Sequence, residues 1–196
     1  MTGLTVKGSA TRQRIIEGAA ALIRESGLEA ATLDEIRYAT ATSKSQLFHY
    51  FPEGRRQLLL AVACYEAERV LADQQPHLSS LGTWAAWQRW RTAVVRRYRR
   101  QGRTCPLATL MSELGRHDPV SQEVVFSLLL RWRTDLADGV RAMQAQGHAP
   151  GVDADRHAGA LMAAVQGGVA ILLATGSSAD LEAALDHMLE PLRPVS

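Results

Sequence analysis

Apolar residues recur at α-helical spacing along almost the whole chain, and no run alternates apolar and polar residues as a half-buried strand does. That pattern excludes sheet folds and predicts an all-α protein. Ile15, Ala19, Leu22 and Ile23 make an i, i+4, i+7, i+8 stripe in a helix from Thr11 to Ser26, which Gly27 stops. Thr32-Leu33-Asp34-Glu35 has the form of a capping box, in which the Thr hydroxyl accepts from the N3 amide and Glu35 reaches back to the cap's own amide. The short helix it opens, with Leu33 and Ile36 inward, breaks near Thr40. Ser43-Lys44-Ser45-Gln46 repeats the signature and starts a helix through Leu47 and Tyr50, ended by Phe51-Pro52-Glu53-Gly54.

Longer elements follow. An amphipathic run spans Arg55 to about Asp73, and Gln74-Gln75-Pro76 and Ser79-Ser80-Leu81-Gly82 are loop punctuation. Thr83 to Arg100 is predicted helical, with Trp87, Trp90, Val94 and Tyr98 on one side and Gly102 closing it. Pro106 suits a first helical position, and Asp118-Pro119 reads as an N-cap and N1 proline opening a helix toward Gln146. Asp153 caps the next helix, which ends near Thr175-Gly176. Ser178 caps the last, where Asp180 and Glu182 suit the positive end of its dipole.

The charge balance narrows the function. A net charge of +2 rules out a polycation that coats nucleic acid indiscriminately. The net figure conceals a gradient: +2 over residues 1–58, +5 over 59–117 and −5 over 118–196. Two cysteines, Cys64 and Cys105, exclude a disulfide framework and a Cys-rich zinc module. The N-terminal stretch lacks a signal-peptide core, and the weakly polar run from Ala158 to Ala174 reads as a buried helix, so the expectation is a reduced cytoplasmic protein with no membrane partner. The six histidines show no metal spacing, and no phosphate loop or Ser/His/Asp or Cys/His arrangement is readable. No cofactor, metal or catalytic activity is expected.

Three short helices within residues 11–50, the last two joined by a tight turn, form a helix-turn-helix candidate. In that geometry the second helix lies across the phosphate backbone and the third enters the major groove, N-terminal residues first. Short polar side chains therefore belong at the start of the third helix, and Thr42, Ser43, Lys44, Ser45 and Gln46 stand there. Glutamine pairs bidentately with adenine, and lysine donates to guanine or phosphate. Phe51 is expected in the core, with His49 and Tyr50 presenting phosphate-reaching polar tips.

These residues resemble the tetracycline-repressor (TetR) family of transcriptional regulators. The resemblance rests on Ile15-Ile16, Ala19-Ala20, Gly27, Thr32 to Ile36, Ser43 to Pro52, and Leu58. It implies phosphate contacts at Thr32, groove or backbone contacts at residues 42–46 and 48–50 (Phe48, His49 and Tyr50 among them), and a phosphate anchor at Arg55, the basic residue opening the fourth helix. It also implies a DNA-binding domain over residues 1–54, and a helical domain over 55–196 that binds a small-molecule inducer and dimerises. Expected partners are double-stranded operator DNA and a second copy of the chain. Glu53-Gly54 ahead of Arg55, with Cys105-Pro106-Leu107, resembles the LmrA/YxaF-type subgroup. Where the family has glycine in the turn between helices two and three, this chain has Ala41, so the turn is expected to differ in shape.

The rest of the chain is compatible with that reading. Ala158, Gly159, Ala160, Ala163, Ala164, Gly167 and Gly168 would let two helices approach closely, as in a four-helix dimer interface. Trp84, Trp87, Trp90, Tyr98, Met111, Phe126, Trp132 and Met162 line a ligand cavity in one reading and form plain core in the other. Gln166, an amide in an apolar helix, needs a partner that a ligand or dimer mate would supply. The basic run Arg96 to Arg103 reads either as an anion or phosphate site or as a solvated helix end that pairs with the acidic last third. An all-α small-molecule enzyme and a helical interaction scaffold are the alternatives from other classes.

Overall fold

The computed structural model describes residues 5–101 and 119–194, and every described residue in regular structure is helical. The helices are α1 (Val6–Ser26), α2 (Leu33–Ala39), α3 (Lys44–Tyr50), α4 (Arg55–Ala72), α5 (Trp84–Gln101), α6 (Pro119–Gln144), α7 (Ala154–Thr175) and α8 (Ala179–Leu189), with 3-10 turns at Leu78–Ser80 and Glu190–Leu192. The expected signals at Gly102, Cys105, Pro106 and Asp118 lie outside the described residues. The described residues divide into two compact units, 5–69 with 119–125 and 70–101 with 126–194.

Local chemistry sets the helix ends. α1 starts earlier than the apolar stripe indicates, because the Thr5 hydroxyl accepts from the Gly8 amide at 3.2 Å and opens a turn of polar residues. At α3 the capping box closes in both directions: Ser43 Oγ accepts from Gln46 N at 3.1 Å, and Gln46 Oε1 accepts from Ser43 N at 3.3 Å. At α2 only the forward half forms, from Glu35 N to Thr32 Oγ1 at 3.2 Å, because the Thr32 amide already donates to the Ala30 carbonyl at 2.9 Å. Asp153 caps α7 as expected, accepting from Arg156 N at 3.0 Å. Ser178 does not cap α8. Its hydroxyl donates instead to Glu182 at 2.7 Å, and the Ser177 hydroxyl accepts from Ala179 N at 3.3 Å.

α2 and α3 have seven residues each, well short of the roughly 12–15 an isolated helix needs in water. Packing supplies what propensity does not. Ile36 from α2 and Leu47 from α3 are fully buried against Ile15, Ala19 and Ile23 of α1 and Leu58 and Val62 of α4. Burying each large aliphatic side chain contributes about 1.5–3 kcal/mol.

In the second unit, α7 and α8 form a hairpin turned by Gly176 in the left-handed conformation. The stripe of small residues splits between two sides of α7. A Cβ on Gly168 would lie 2.6 Å from Leu181 Cα, so this glycine is what lets α8 approach, and Ala158 is buried as well. Ala160, Ala163 and Gly167 point outward, and nothing lies within 4 Å of a Cβ built on Gly167. α5 is strapped to the α8 region by charge: Arg91 binds Asp186 bidentately at 2.8 and 2.7 Å, while Arg99 reaches Ser178 at 2.8 Å and Glu182 at 2.6 Å. The hydroxyl of Ser178 and the two guanidiniums hold the Glu182 carboxyl below its ordinary range.

Candidate nucleic-acid interface

The turn ahead of α3 fixes how that helix is presented. Ala41 sits at φ +47°, in the left-handed region usually given to glycine. The alanine Cβ costs about 1–2 kcal/mol there. Both flanking threonines are buried and bonded to each other: Thr40 Oγ1 donates to the Ile36 carbonyl at 2.6 Å and lies 2.9 Å from Thr42 Oγ1. Thr40 also fits because α1 has Gly18 opposite it, where a Cβ would come within 2.3 Å of Thr40 Cγ2. Arg14 of α1 donates to the Thr40 carbonyl, tying the turn from a second side.

On this base the first turn of α3 stands in solvent. Ser43, Lys44, Ser45 and Gln46 are exposed, and so are Phe48 and His49 one turn on. Phe48 is 40% exposed, unusual for an aromatic within an ordered helix. His49 stacks edge-on against the half-buried Tyr50, ring centroids 4.9 Å apart. Thr32 is exposed at the start of α2. Phe51 is fully buried, with Arg12 lying 5.2 Å over its ring.

Two of the expected contact residues are differently placed. Thr42 is buried, and its hydroxyl is committed to Thr40, so it shapes the turn rather than facing out. Arg55 is half-buried: its Nη2 donates to the Leu28 carbonyl at 2.9 Å and its Nε to the Ala31 carbonyl at 3.4 Å. Its guanidinium therefore clamps the loop ahead of α2. Deeper along α4, Glu66 is buried and paired with Arg24 of α1. These two ties make α4 part of the three-helix head. A further residue, Tyr38, escaped the sequence reading: it is 89% exposed at the end of α2. Its position two residues beyond the inward Ile36, on the opposite side of the helix, was the available signal.

The aromatic residues considered for a ligand cavity separate in the same way. Trp87, Trp90 and Tyr98 are buried, the two indoles packed edge to face at 5.7 Å, and Trp90 Nε1 donates to the buried Gln74 at 2.8 Å. The indole N–H groups of Trp87 and Trp132, buried too, meet no acceptor among the described residues. Phe126 is 61% exposed, on an outward face of α6 shared with Leu130, so it lines no interior space among the described residues. Gln166 is exposed rather than buried, because α7 turns its Leu161, Val165 and Leu172 side inward; Met162 is half-buried and Met111 lies outside the described residues. Among the described residues no group of His, Cys, Asp or Glu could hold a metal ion.

Comparison with known proteins places this arrangement. Residues 15–62 match the family described as bacterial regulatory proteins, tetR family, and residues 83–188 match the tetracyclin repressor-like C-terminal domain. An uncharacterised HTH-type transcriptional regulator of Mycobacterium tuberculosis is 32% identical over 107 residues, 53% of this chain and 53% of that protein. The HTH-type transcriptional repressor AcnR of Corynebacterium glutamicum is 38% identical over 64 residues, 33% of this chain and 34% of its own length. The chain thus spans about half the length, or less, of the curated relatives it matches. Similarity to a solved TetR transcriptional regulator from Chloroflexus aurantiacus covers 94% of both chains, with 29% identity and a TM-score of 0.76. With the N-terminal match laid on the capped α2–α3 pair and the C-terminal match extending over more than half of the sequence, the chain belongs to the tetR family of bacterial regulatory proteins.

Proposed function

We propose that the protein is a dimeric, cytoplasmic transcriptional regulator that represses by binding operator DNA and leaves it when a small molecule binds. The observation that carries this reading is the first turn of α3. Lys44, Ser45 and the amide of Gln46 stand exposed on a short helix that a two-way capping box and a buried Leu47 hold rigid. The contact set is Thr32, Ser43, Lys44, Ser45, Gln46, Phe48, His49 and Tyr50, with Tyr38 added; Thr42 and Arg55 act by positioning. Repression as the sign of regulation is supported by the likeness of a 64-residue stretch of the chain to AcnR, a named repressor.

Dimerisation is supported by the outward face of α7, where Ala160, Ala163, Gly167 and the 43%-exposed Ile171 would let a second copy's helix approach closely. Two heads then double a small number of placed contacts, which suits a module with only +2 charge over residues 1–58. The buried indole donors of Trp87 and Trp132, which meet no acceptor among the described residues, support an interior ligand bearing hydrogen-bond acceptors. Because α4 is tied to the head through Arg55 and Glu66, a ligand that displaces α4 changes how the two heads are spaced. Operator and ligand then favour different states of one dimer, and each weakens the other by the same factor.

The test is fluorescence anisotropy with DNA flanking the protein's own gene, over a salt series. Log affinity should fall linearly with log salt, and Lys44→Ala should lower affinity and reduce the slope by about 0.9 for the lost phosphate or groove cation. A flat plot for the parent protein would refute phosphate-driven binding.

A further inference from the structure

Helix α5 carries six arginines, and the tertiary structure sorts them into two sets. Arg91 and Arg99 face α8 and are bound to Asp186 and Glu182, while Arg97, 8% exposed, donates to Asp73 at 2.9 Å. Arg89, Arg96 and Arg100 have no hydrogen bond or ion pair among the described residues. Their spacing of i, i+7 and i+11 puts them on one side of the helix. Like charges so placed repel one another, and no described carboxylate forms an ion pair with them.

The surface between Arg89 and Arg96 is concave. His77, Gln88, Arg89, Thr92, Ala93 and Arg96 line a groove of about 300 Å3, at the lower end of the range for small-molecule sites. Its lining is more apolar than polar: Ala93 contributes a methyl, and the Thr92 hydroxyl is turned back onto the Gln88 carbonyl at 2.9 Å. Its lining includes the side chains of two arginines with no ion pair among the described residues, a histidine and a glutamine. We propose that this groove on α5 is a binding site for a small organic anion, a carboxylate, sulfonate or phosphate ester on an apolar body. Guanidinium forks hold such heads bidentately while the body lies on the floor. This deepens the ligand-responsive reading, on which only the regulatory consequence of occupancy rests; the binding itself does not depend on DNA recognition.

The experiment titrates the full chain, without DNA, with 8-anilinonaphthalene-1-sulfonate and in parallel with N-phenyl-1-naphthylamine, the same apolar body without the anion. The parent protein should show a saturable sulfonate site, and Arg89→Gln/Arg96→Gln should weaken it at least about tenfold, the equivalent of one charge-assisted hydrogen bond lost. Arg141→Gln, a variant at an arginine already paired with Asp138 and Asp155, should leave it unchanged. Circular dichroism should be superimposable, since neither Arg89 nor Arg96 holds a described protein partner. Equal sulfonate affinity in parent and double variant overturns the proposal, and so does an equal loss for the uncharged probe. A DNA arm separates the other source of anions: the double variant should keep the parent's operator affinity and salt slope. A reduced slope would assign Arg89 and Arg96 to DNA phosphates and overturn the small-anion site. A parent protein that binds the sulfonate but no DNA would sink the regulator reading and leave this one standing.

Discussion

Gly18→Ala tests how the head positions its reading helix. In the interior of an exposed helix this substitution stabilises by about 1 kcal/mol, because alanine loses less backbone entropy than glycine. Here the new methyl would lie 2.3 Å from Thr40 Cγ2, more than an ångström inside the ~3.5 Å at which carbon atoms rest. Thr40 has little room to move: it is buried, its hydroxyl is held by Ile36 and Thr42, and Arg14 holds its carbonyl. Overpacking of this kind costs about 1–3 kcal/mol, and turning Thr40 aside forfeits hydrogen bonds worth about 1 kcal/mol each. The clash therefore outweighs the propensity gain, and the head should lose about 1–2 kcal/mol net. Thr40→Ser keeps the hydroxyl and removes the obstructing methyl, so the pair should show a coupling of at least about 1.5 kcal/mol in a double-mutant cycle. Native-state hydrogen exchange of α1 and α2 amides reads the head directly, with operator affinity as a second readout. Gly18→Ala at or above parent stability, or with no coupling to Thr40→Ser, would refute the close-approach argument.

Three further outcomes follow from particular contacts. Ala41→Gly relieves a left-handed alanine at an exposed position and should raise head stability by about 0.5–1 kcal/mol after the glycine's entropic cost; a loss would mean the turn is unstrained. Gln74→Leu removes the acceptor of the buried Trp90 indole while keeping volume and should cost about 1–3 kcal/mol in urea unfolding, so an unchanged midpoint would count against that bond. Burial between α7 and α8 holds the His157 pKa below its ordinary value, despite a hydrogen bond to the Met188 backbone. As pH falls through about 6.5 the unfolded chain binds a proton before the folded one does, so stability is full above that pH and declines below it. His157→Gln should flatten this acid decline in urea midpoints, and an identical slope in both proteins would remove the assignment.

Most of what depends on residues within about four positions of one another was legible in the sequence, the Ser178 cap being an exception. The Ser43–Gln46 box, the Asp153 cap, the inward Ile15, Ala19 and Ile23, and the buried Phe51 all follow from helical period and from bonds between a side chain and an amide three residues on. So did the head itself, because two seven-residue helices flanked by caps leave few other folds. Even there a local bond defeated a local rule: Ala30 took the Thr32 amide that Glu35 was expected to fill.

Tertiary structure alone decided what each side chain was free to do. Arg55 stands where a phosphate anchor belongs, yet its Nε and Nη2 donate to carbonyls 24 and 27 residues earlier. Arg91 and Arg96 read alike in sequence; one is neutralised by Asp186, 95 residues away, and the other opens on an apolar groove. Gly167 and Gly168 are neighbours in the same stripe, but one admits Leu181 and the other faces outward. The physical reason is common to all three. Helical period fixes which face a residue occupies, while the partner that face meets is set by other elements, brought back from 13 to 95 residues away.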